Sequence, residues 1–86
     1  MYEVVLSRQA VRYLHRLDRS AQQRILVRLE QLAQEPFGAL TKPLTNAAGL
    51  WSTRIGTWRI VYRVNDDEQL VLVSDIGPHG EIYRRV

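Results

Sequence analysis

Two different hydrophobic periods divide this chain, and the division limits the folds that it can adopt. Between residues 10 and 33 the apolar side chains recur every three or four positions, which is the spacing of one face of an α-helix. After residue 50 they alternate with polar side chains or form short β-branched runs, which is typical of strands. Helices in one half and strands in the other predict an α+β fold, with a helix pair packed on one face of a sheet.

The first half of the chain predicts one short strand followed by two helices. Tyr2 to Leu6 is apolar and β-branched, and Ser7 after it is a suitable N-cap. The helices are marked by Ala10, Leu14 and Leu17, with Val11 beside them, and by Ile25, Leu29 and Leu32, with Leu26 and Ala33 beside them. Asp18 or Ser20 can cap the second helix, and Pro36 ends it. Because the connection is short, we expect an antiparallel helix hairpin.

The second half predicts a loop followed by strands. Residues 39–49 have no clean period and indicate a loop, with a short strand or turn around Lys42 to Leu44. We expect strands at Leu50–Ile55, Trp58–Val64, Leu70–Ile76 and Glu81–Arg85, which are separated by the turn Gly56–Thr57, the polar loop 65–68 and the break 77–80. The expected product is a single domain, 1–86, whose small, mainly antiparallel sheet of four or five strands is covered on one face and open on the other.

Alternation along the strand 58–64 places arginines on the open face. The apolar set is Trp58, Ile60, Tyr62 and Val64, which we expect to face the helices. Arg59 and Arg63 then point away from the helices, and the tight turn can bring Arg54 beside Arg59. Such a cluster is suited to phosphate, because arginine offers a planar fork of donors. The alternative is a set of solvated strand charges, paired with Asp66, Asp67 or Asp75, without a function.

The C-terminal segment carries the second candidate group. His79 is a suitable proton donor or acceptor near neutral pH, and Tyr83 could stack on a base or hydrogen-bond a phosphate. In an ideal strand these two residues would stand roughly 13 Å apart. The glycines and the proline at 77–80 are expected to bend the chain and shorten that distance. The alternatives are a loop histidine without a role and a core or edge tyrosine.

Arginine dominates the positive charge of the chain. The formal net charge is +3, and eleven of the twelve basic residues are Arg, with Lys42 as the single lysine. Arg8, Arg12 and Arg16 form one stripe on the first helix, which is either a contact for RNA or an acidic partner, or a solvated helix face. The arginine bias favours a nucleic-acid partner, although a GC-rich genome would produce the same bias.

Several classes of function are disfavoured by what the sequence lacks. There is no cysteine, and the histidines and acids do not cluster at metal-ligand spacing, so we expect neither a metal site nor a cofactor. No P-loop or dinucleotide-binding glycine motif is present. No apolar run approaches the ~20 residues that span a bilayer, and residues 1–10 lack the pattern of a signal peptide, so we expect a cytoplasmic protein.

Taken together, these segments make the chain resemble the RelE/ParE superfamily of bacterial type II toxins over nearly its whole length. The resemblance begins with the opening strand and Ser7-Arg8-Gln9-Ala10, and it continues through Glu35-Pro36, Lys42-Pro43-Leu44 and Gly49-Leu50-Trp51. Its strongest parts are Trp58-Arg59-Ile60-Val61-Tyr62-Arg63-Val64 and Ile76-Gly77-Pro78-His79-Gly80-Glu81-Ile82-Tyr83. Each part alone is degenerate, whereas their order and spacing are specific.

Resemblance to the RelE branch implies a metal-independent mRNA endonuclease of the ribosomal A site, in which the 2′-OH of the substrate attacks the adjacent phosphate. Arg59 matches the strand arginine that contacts the scissile phosphate, and Arg54 matches a second basic residue that stabilises the transition state. Tyr83 matches the C-terminal aromatic that orients the substrate, and His79 would be the general acid or base. Ser52 occupies a position that can be lysine in the family, so this site has fewer cations. We assign RNA binding to Lys42, Arg63, Arg84, Arg8 and Arg12.

The resemblance also implies a partner and two alternatives. A toxin of this type is made with a cognate antitoxin that covers its basic face, and the complex binds operator DNA through the antitoxin. The ParE branch shares the fold but inhibits DNA gyrase. A catalytically degenerate member would only bind its antitoxin.

Overall fold

The computed structural model describes residues 1–45 and 48–82, which form a sheet with two helices packed on one of its faces. The elements are β1 (Glu3–Leu6), α1 (Arg8–Arg16), α2 (Arg19–Gln34), β2 (Thr41–Pro43), β3 (Trp51–Ile55), β4 (Trp58–Asn65), β5 (Leu70–Pro78) and the one-turn helix α3 (His79–Ile82). The five strands lie in the order β1-β5-β4-β3-β2. β1 pairs with β5 in parallel, and the other pairs are antiparallel. The predicted α+β fold with a mainly antiparallel sheet is confirmed.

Side chains of the preceding residues begin both long helices. Ser7 Oγ accepts a hydrogen bond from the backbone N–H of Ala10 at 3.2 Å, which confirms the predicted cap of α1. Of the two candidate caps for α2, Asp18 is the one used, because its Oδ1 accepts from the N–H of Ala21 at 2.8 Å. Only residues 17 and 18 separate the two helices, so the chain reverses at once and α2 can return across the sheet.

The core lies between the two helices and the sheet. It is built from Ala10, Leu14, Ile25, Leu29, Leu32, Ile55, Ile60, Tyr62, Val71, Val73 and Ile76, with Trp58 and Val64 packed against it. The predicted apolar set of β4 therefore does face the helices. Tyr62 also ties β4 to the segment after α2, because its hydroxyl donates to the carbonyl of Pro36 at 2.6 Å. Burial raises the pKa of Tyr62 to about 12.

The end of the sheet differs from the expected one. β5 continues to Pro78, where the backbone N–H of His79 donates to the carbonyl of Thr57 at 2.8 Å, and the chain then turns into α3. The predicted strand Glu81–Arg85 is therefore wrong at residues 81 and 82, which are helical. A run of so few residues cannot distinguish the helical period from the strand period. Tyr83 and Arg84 lie outside the described residues.

The face of the sheet opposite the helices is only partly open. Val61, which belongs to this face, is fully buried, because Leu44 and Leu50 pack over it. The backbone N–H of Leu44 donates to the carbonyl of Leu50 at 2.9 Å, so the segment between β2 and β3 folds back over the sheet. The expectation of a free face is wrong at this point. Within residues 1–45 and 48–82, the helices are too short or too polar to cross a bilayer.

Candidate functional site

The register of the central strands sets the arginines side by side. The turn between β3 and β4 contains only Gly56 and Thr57, and Gly56 has a φ of 56°, which a glycine adopts without strain. This tight turn pairs Arg54 with Arg59 across the two strands. Arg59 is in turn paired with Gly77 of β5, which places no side chain beside the guanidinium stem. The predicted juxtaposition of Arg54 and Arg59 is confirmed.

These residues belong to a concave surface at the edge of the sheet, which we call the cationic groove. Its lining consists of Arg28, Ala39, Leu40, Thr41, Lys42, Ser52, Arg54 and Arg59, and its volume is about 250 Å³. Lys42 lies in it because β2 pairs Lys42 with Ser52. Within the part of the chain that the structure describes, this lining holds four basic side chains and no acid. A concave surface of this charge is suited to a phosphate group and the sugars that flank it.

Arg59 is buried, which the sequence pattern does not predict. Only 2% of its surface is exposed, and its Nη1 donates to Ser52 Oγ at 3.4 Å. Its pKa is lowered, first because burial penalises the charged guanidinium and second because of the charge of Arg54. The expectation of a solvated side chain is therefore wrong for Arg59. Ionisable groups whose pKa is shifted by burial and by a neighbouring charge are concentrated at functional sites.

Arg54 and Lys42 form the exposed rim of the cationic groove. The Nε atom of Arg54 donates to the carbonyl of Gly56 at 3.0 Å, which holds the base of the side chain against the turn. Because Arg59 lies deep and these two residues lie at the surface, the groove presents donors at two depths. An anion that enters can contact the rim and the floor together.

His79 begins α3 and is electrostatically part of the same site. Its side chain is half-buried, and its backbone N–H is bonded to Thr57. The pKa of His79 is lowered, mainly by burial and then by the positive charges of Arg59, Arg54 and Lys42. At neutral pH its imidazole is therefore neutral, which is the form that can accept a proton.

The other predicted RNA-binding residues lie apart from the cationic groove. Arg63 is exposed on β4, and its Nη1 donates to the carbonyl of Ala48 at 3.2 Å. Arg8 and Arg12 are exposed on α1, which packs on the opposite face of the sheet. Because a ligand in the groove would not reach α1, any contact of these two residues involves a larger partner. Tyr83 and Arg84 cannot be placed, since both lie outside the described residues.

One basic residue of the groove, Arg28, is missed by the sequence reasoning. It lies on α2 beside Leu29, at the margin of the apolar stripe that packs on the sheet. A long side chain at such a margin can reach around the edge of the sheet. That position relative to the stripe is the signal that could have identified it.

Comparison with known proteins supports one class of protein. The family model of the ParE toxin of the type II toxin–antitoxin system parDE matches residues 4–83. Toxin RelG of Mycobacterium tuberculosis is 34% identical over 90 residues, which cover 98% of each chain. The RelBE2 toxin–antitoxin complex of that organism contains a chain that is 30% identical, with a TM-score of 0.81 over 91% of this chain and 98% of that one.

More distant relatives share the same architecture. A chain of the archaeal RelE–RelB complex from Pyrococcus horikoshii is 25% identical, with a TM-score of 0.79 over 93% of this chain and 97% of that one. The isolated RelE toxin of E. coli is 18% identical and has the same fold, with a TM-score of 0.79 over 99% of this chain and 94% of that one. Two helices on one face of a mixed five-stranded sheet are thus the fold that this chain shares with the RelE toxins. The chain belongs to the RelE/ParE family of type II toxin–antitoxin toxins.

Proposed function

We propose that this toxin is a metal-independent endoribonuclease that cuts mRNA on the ribosome and thereby inhibits translation. The observation that carries the proposal is the burial of Arg59 in a groove with Arg54 and Lys42. A phosphate that enters the groove can accept hydrogen bonds from both guanidinium groups, each of which offers a planar fork of donors. The neutral His79 within the field of these cations supplies a proton acceptor.

The proposed reaction is an internal transfer within the RNA. The 2′-OH attacks the adjacent phosphorus, a bond forms between O2′ and phosphorus, and the bond from phosphorus to the 5′-oxygen breaks. His79 accepts the proton of the 2′-OH, and the leaving 5′-oxygen takes a proton from solvent. Arg59 and Arg54 donate to the non-bridging oxygens, where negative charge develops. The products are a 2′,3′-cyclic phosphate and a 5′-hydroxyl. Tyr83 is proposed to stack on a base of the substrate.

A cognate antitoxin is the proposed protein partner, and the cytoplasm is the proposed location, because mRNA and ribosomes are found there. Relatives of this chain occur in toxin–antitoxin complexes from Mycobacterium tuberculosis and Pyrococcus horikoshii. The antitoxin is expected to cover the cationic groove, and to contact operator DNA when the complex binds it. Arg8 and Arg12 are proposed contacts for ribosomal RNA, since they are exposed on a separate face.

One observation favours a second candidate function. The family model that matches the chain is that of the ParE toxins, whose branch inhibits DNA gyrase. A gyrase toxin needs a surface for a protein target and has no need of a buried arginine in a phosphate-sized groove. The geometry of the groove therefore makes RNA cleavage the preferred proposal.

The experiment that tests the proposal is induced expression without antitoxin, followed by mapping of mRNA 5′ ends. The wild type is compared with Arg59→Ala and with Arg59→Met, in which the longer side chain fills the buried volume and preserves folding. Arg24→Ala is the matched control, because Arg24 lies on α2 and stacks on Trp58 at 5.3 Å outside the cationic groove. We expect growth arrest with codon-phased cuts in the wild type and the control, and neither in the Arg59 variants.

The outcomes separate the candidates. Arrest with intact mRNA and a DNA-damage response would favour the gyrase toxin, and the absence of arrest would favour a binding module. Purified toxin with programmed ribosomes and chelator tests the metal-independent step. A loss of cleavage in chelator that is restored by a divalent cation beyond what the ribosome requires would contradict it.

A further inference from the structure

Strand β2 is too short to cover its neighbour. Its three residues, Thr41–Pro43, pair with Trp51–Thr53 of β3, and Thr41 is the last partner, opposite Thr53. Arg54 therefore extends beyond the end of β2. Its carbonyl on that side has no strand residue opposite it, although the side chain of Arg54 forms the rim of the cationic groove.

The side chain of Arg28 occupies this place. Its Nη1 donates to the carbonyl of Arg54 at 2.8 Å and to Thr53 Oγ1 at 2.6 Å. Its Nε donates to Gln31 Oε1 at 2.9 Å, one turn further along α2, which fixes the plane of the guanidinium. Arg28 thus supplies the donor that a fourth residue of β2 would have supplied.

A second link continues from β3 to the segment that enters β2. Thr53 Oγ1, which accepts from Arg28, donates in turn to the carbonyl of Leu40 at 2.8 Å. Thr53, at the centre of this relay of hydrogen bonds, is 2% exposed, whereas the bond from Arg28 to the carbonyl of Arg54 lies at the surface. Arg54 lies at one end of the relay, and Lys42 follows two residues after Leu40 at the other. Arg28 therefore holds the end of β3 that carries Arg54, and Thr53 holds the segment before Lys42 against the same end of β3.

We propose that Arg28 is a positioning residue, which holds the backbone of Arg54 beyond the end of β2 and so fixes the place of this rim cation in the cationic groove. This inference rests on the proposed RNA cleavage. Catalysis by positioned donors requires them to be held within a fraction of an ångström, and a displacement of about 1 Å can reduce the rate roughly 100-fold. The backbone of Arg54 lies beyond the end of an edge strand, where it would otherwise be the least constrained part of the groove.

The test compares four variants in steady-state RNA cleavage: Arg28→Ala, Arg28→Lys, Thr53→Val and the Arg28→Ala/Thr53→Val pair. We expect Arg28→Ala to reduce kcat by about 10- to 100-fold with little change in KM, because positioning acts on the reaction step. Thr53→Val should also reduce kcat, because it removes the hydroxyl that accepts from Arg28. The pair should be no worse than the more damaged single variant, because both substitutions break one relay.

Arg28→Lys and Arg24→Ala separate positioning from charge. Lysine keeps the charge but not the fork that joins Gln31 to two acceptors on β3, so we expect only partial recovery of kcat. Arg24→Ala removes the same charge from the same helix and should leave kcat unchanged. Full activity of Arg28→Lys, or a rise in KM without a fall in kcat, would show that Arg28 acts by charge alone and would overturn the proposal.

A readout without activity makes the two proposals distinguishable. In ¹H–¹⁵N spectra, Arg28→Ala should shift the amide signals of Arg54 and Lys42, and Arg19→Ala, which removes an exposed charge at the start of the same helix, should not. If the wild type does not cleave RNA, the proposed function fails while this measurement still decides the inference. Unmoved signals at Arg54 and Lys42 in Arg28→Ala would overturn it.

Discussion

The affinity of the toxin for a short single-stranded RNA should fall as the salt concentration rises, with a slope set by the number of cations in the groove. Lys42, Arg54 and Arg59 line the groove and face a bound phosphate chain, whereas Arg28 is committed to hydrogen bonds with β3. A cation that neutralises a phosphate of a single strand releases about 0.7 of a counterion. The three residues together therefore predict a slope of about −2 in a plot of log affinity against log salt concentration.

This slope has a measurable size. Between about 50 and about 200 mM salt, a slope of about −2 reduces the affinity roughly 20-fold. Removal of one rim cation in Lys42→Ala should change the slope to about −1.4, so that the same salt change costs only about 7-fold. Because Lys42 is exposed, the substitution should not alter folding.

The assay is fluorescence anisotropy with a 2′-O-methyl RNA of about five nucleotides, which binds but lacks the attacking hydroxyl. Arg24→Ala serves as the control, since it removes a charge outside the groove. An unchanged slope in Lys42→Ala together with a reduced slope in Arg24→Ala would refute the reasoning. That result would mean that the RNA binds on the helical face.

Three further predictions concern individual residues. Tyr62→Phe should lower the free energy of unfolding by about 1–2 kcal/mol at neutral pH, because the carbonyl of Pro36 loses its donor. Since the pKa of Tyr62 is raised to about 12 in the folded state, the wild-type free energy of unfolding should be unaffected below about pH 10 and fall by up to about 1.4 kcal/mol per pH unit between about pH 10 and 12. Urea titrations of Tyr62→Phe should lack this pH-dependent component. The pKa of His79 is lowered below 6.5, so the contribution of the neutral His79 to stability should be present above pH 6.5 and be lost as the pH falls to the folded-state pKa. NMR signals of the imidazole ring should report this titration, and Lys42→Ala should raise the pKa of His79, whereas an unchanged pKa in that variant would exclude coupling of His79 to the groove. Gly56→Ala should lower the free energy of unfolding by about 1 kcal/mol, because φ is positive at Gly56 and the added Cβ would lie 2.9 Å from Nη2 of Arg24. Gly77→Ala is the control, since a Cβ added at Gly77 meets open space, and equal urea midpoints for the two variants would contradict the prediction.

The local features of the fold could be predicted from the sequence because they depend on neighbouring residues. The apolar alternation of β4 identifies Ile60 and Tyr62 as core residues, and the two-residue turn brings Arg54 opposite Arg59. The N-cap at Ser7 follows from the same short-range chemistry, which also limits the cap of α2 to Asp18 or Ser20. These predictions succeed because each interaction spans only a few positions along the chain.

The boundary between β5 and α3 could not be predicted in this way. Residues 79–82 are too few to show a period, and the backbone bond from His79 to Thr57 joins segments that are far apart in the sequence. The parallel pairing of β1 with β5 is likewise a contact between the two ends of the described chain. Both features depend on how the sheet is assembled.

The sequence by itself determined the α+β class, the face of β4 that packs on the helices and the pair of arginines at the turn. Only the tertiary structure decided that Arg59 is buried, that Arg28 enters the groove and that Leu44 and Leu50 cover Val61. The physical reason is that periodicity describes which way a side chain points, whereas burial depends on what other segments place in front of it. Arg28 and Thr53, which meet across the edge of the sheet, are neighbours only after folding.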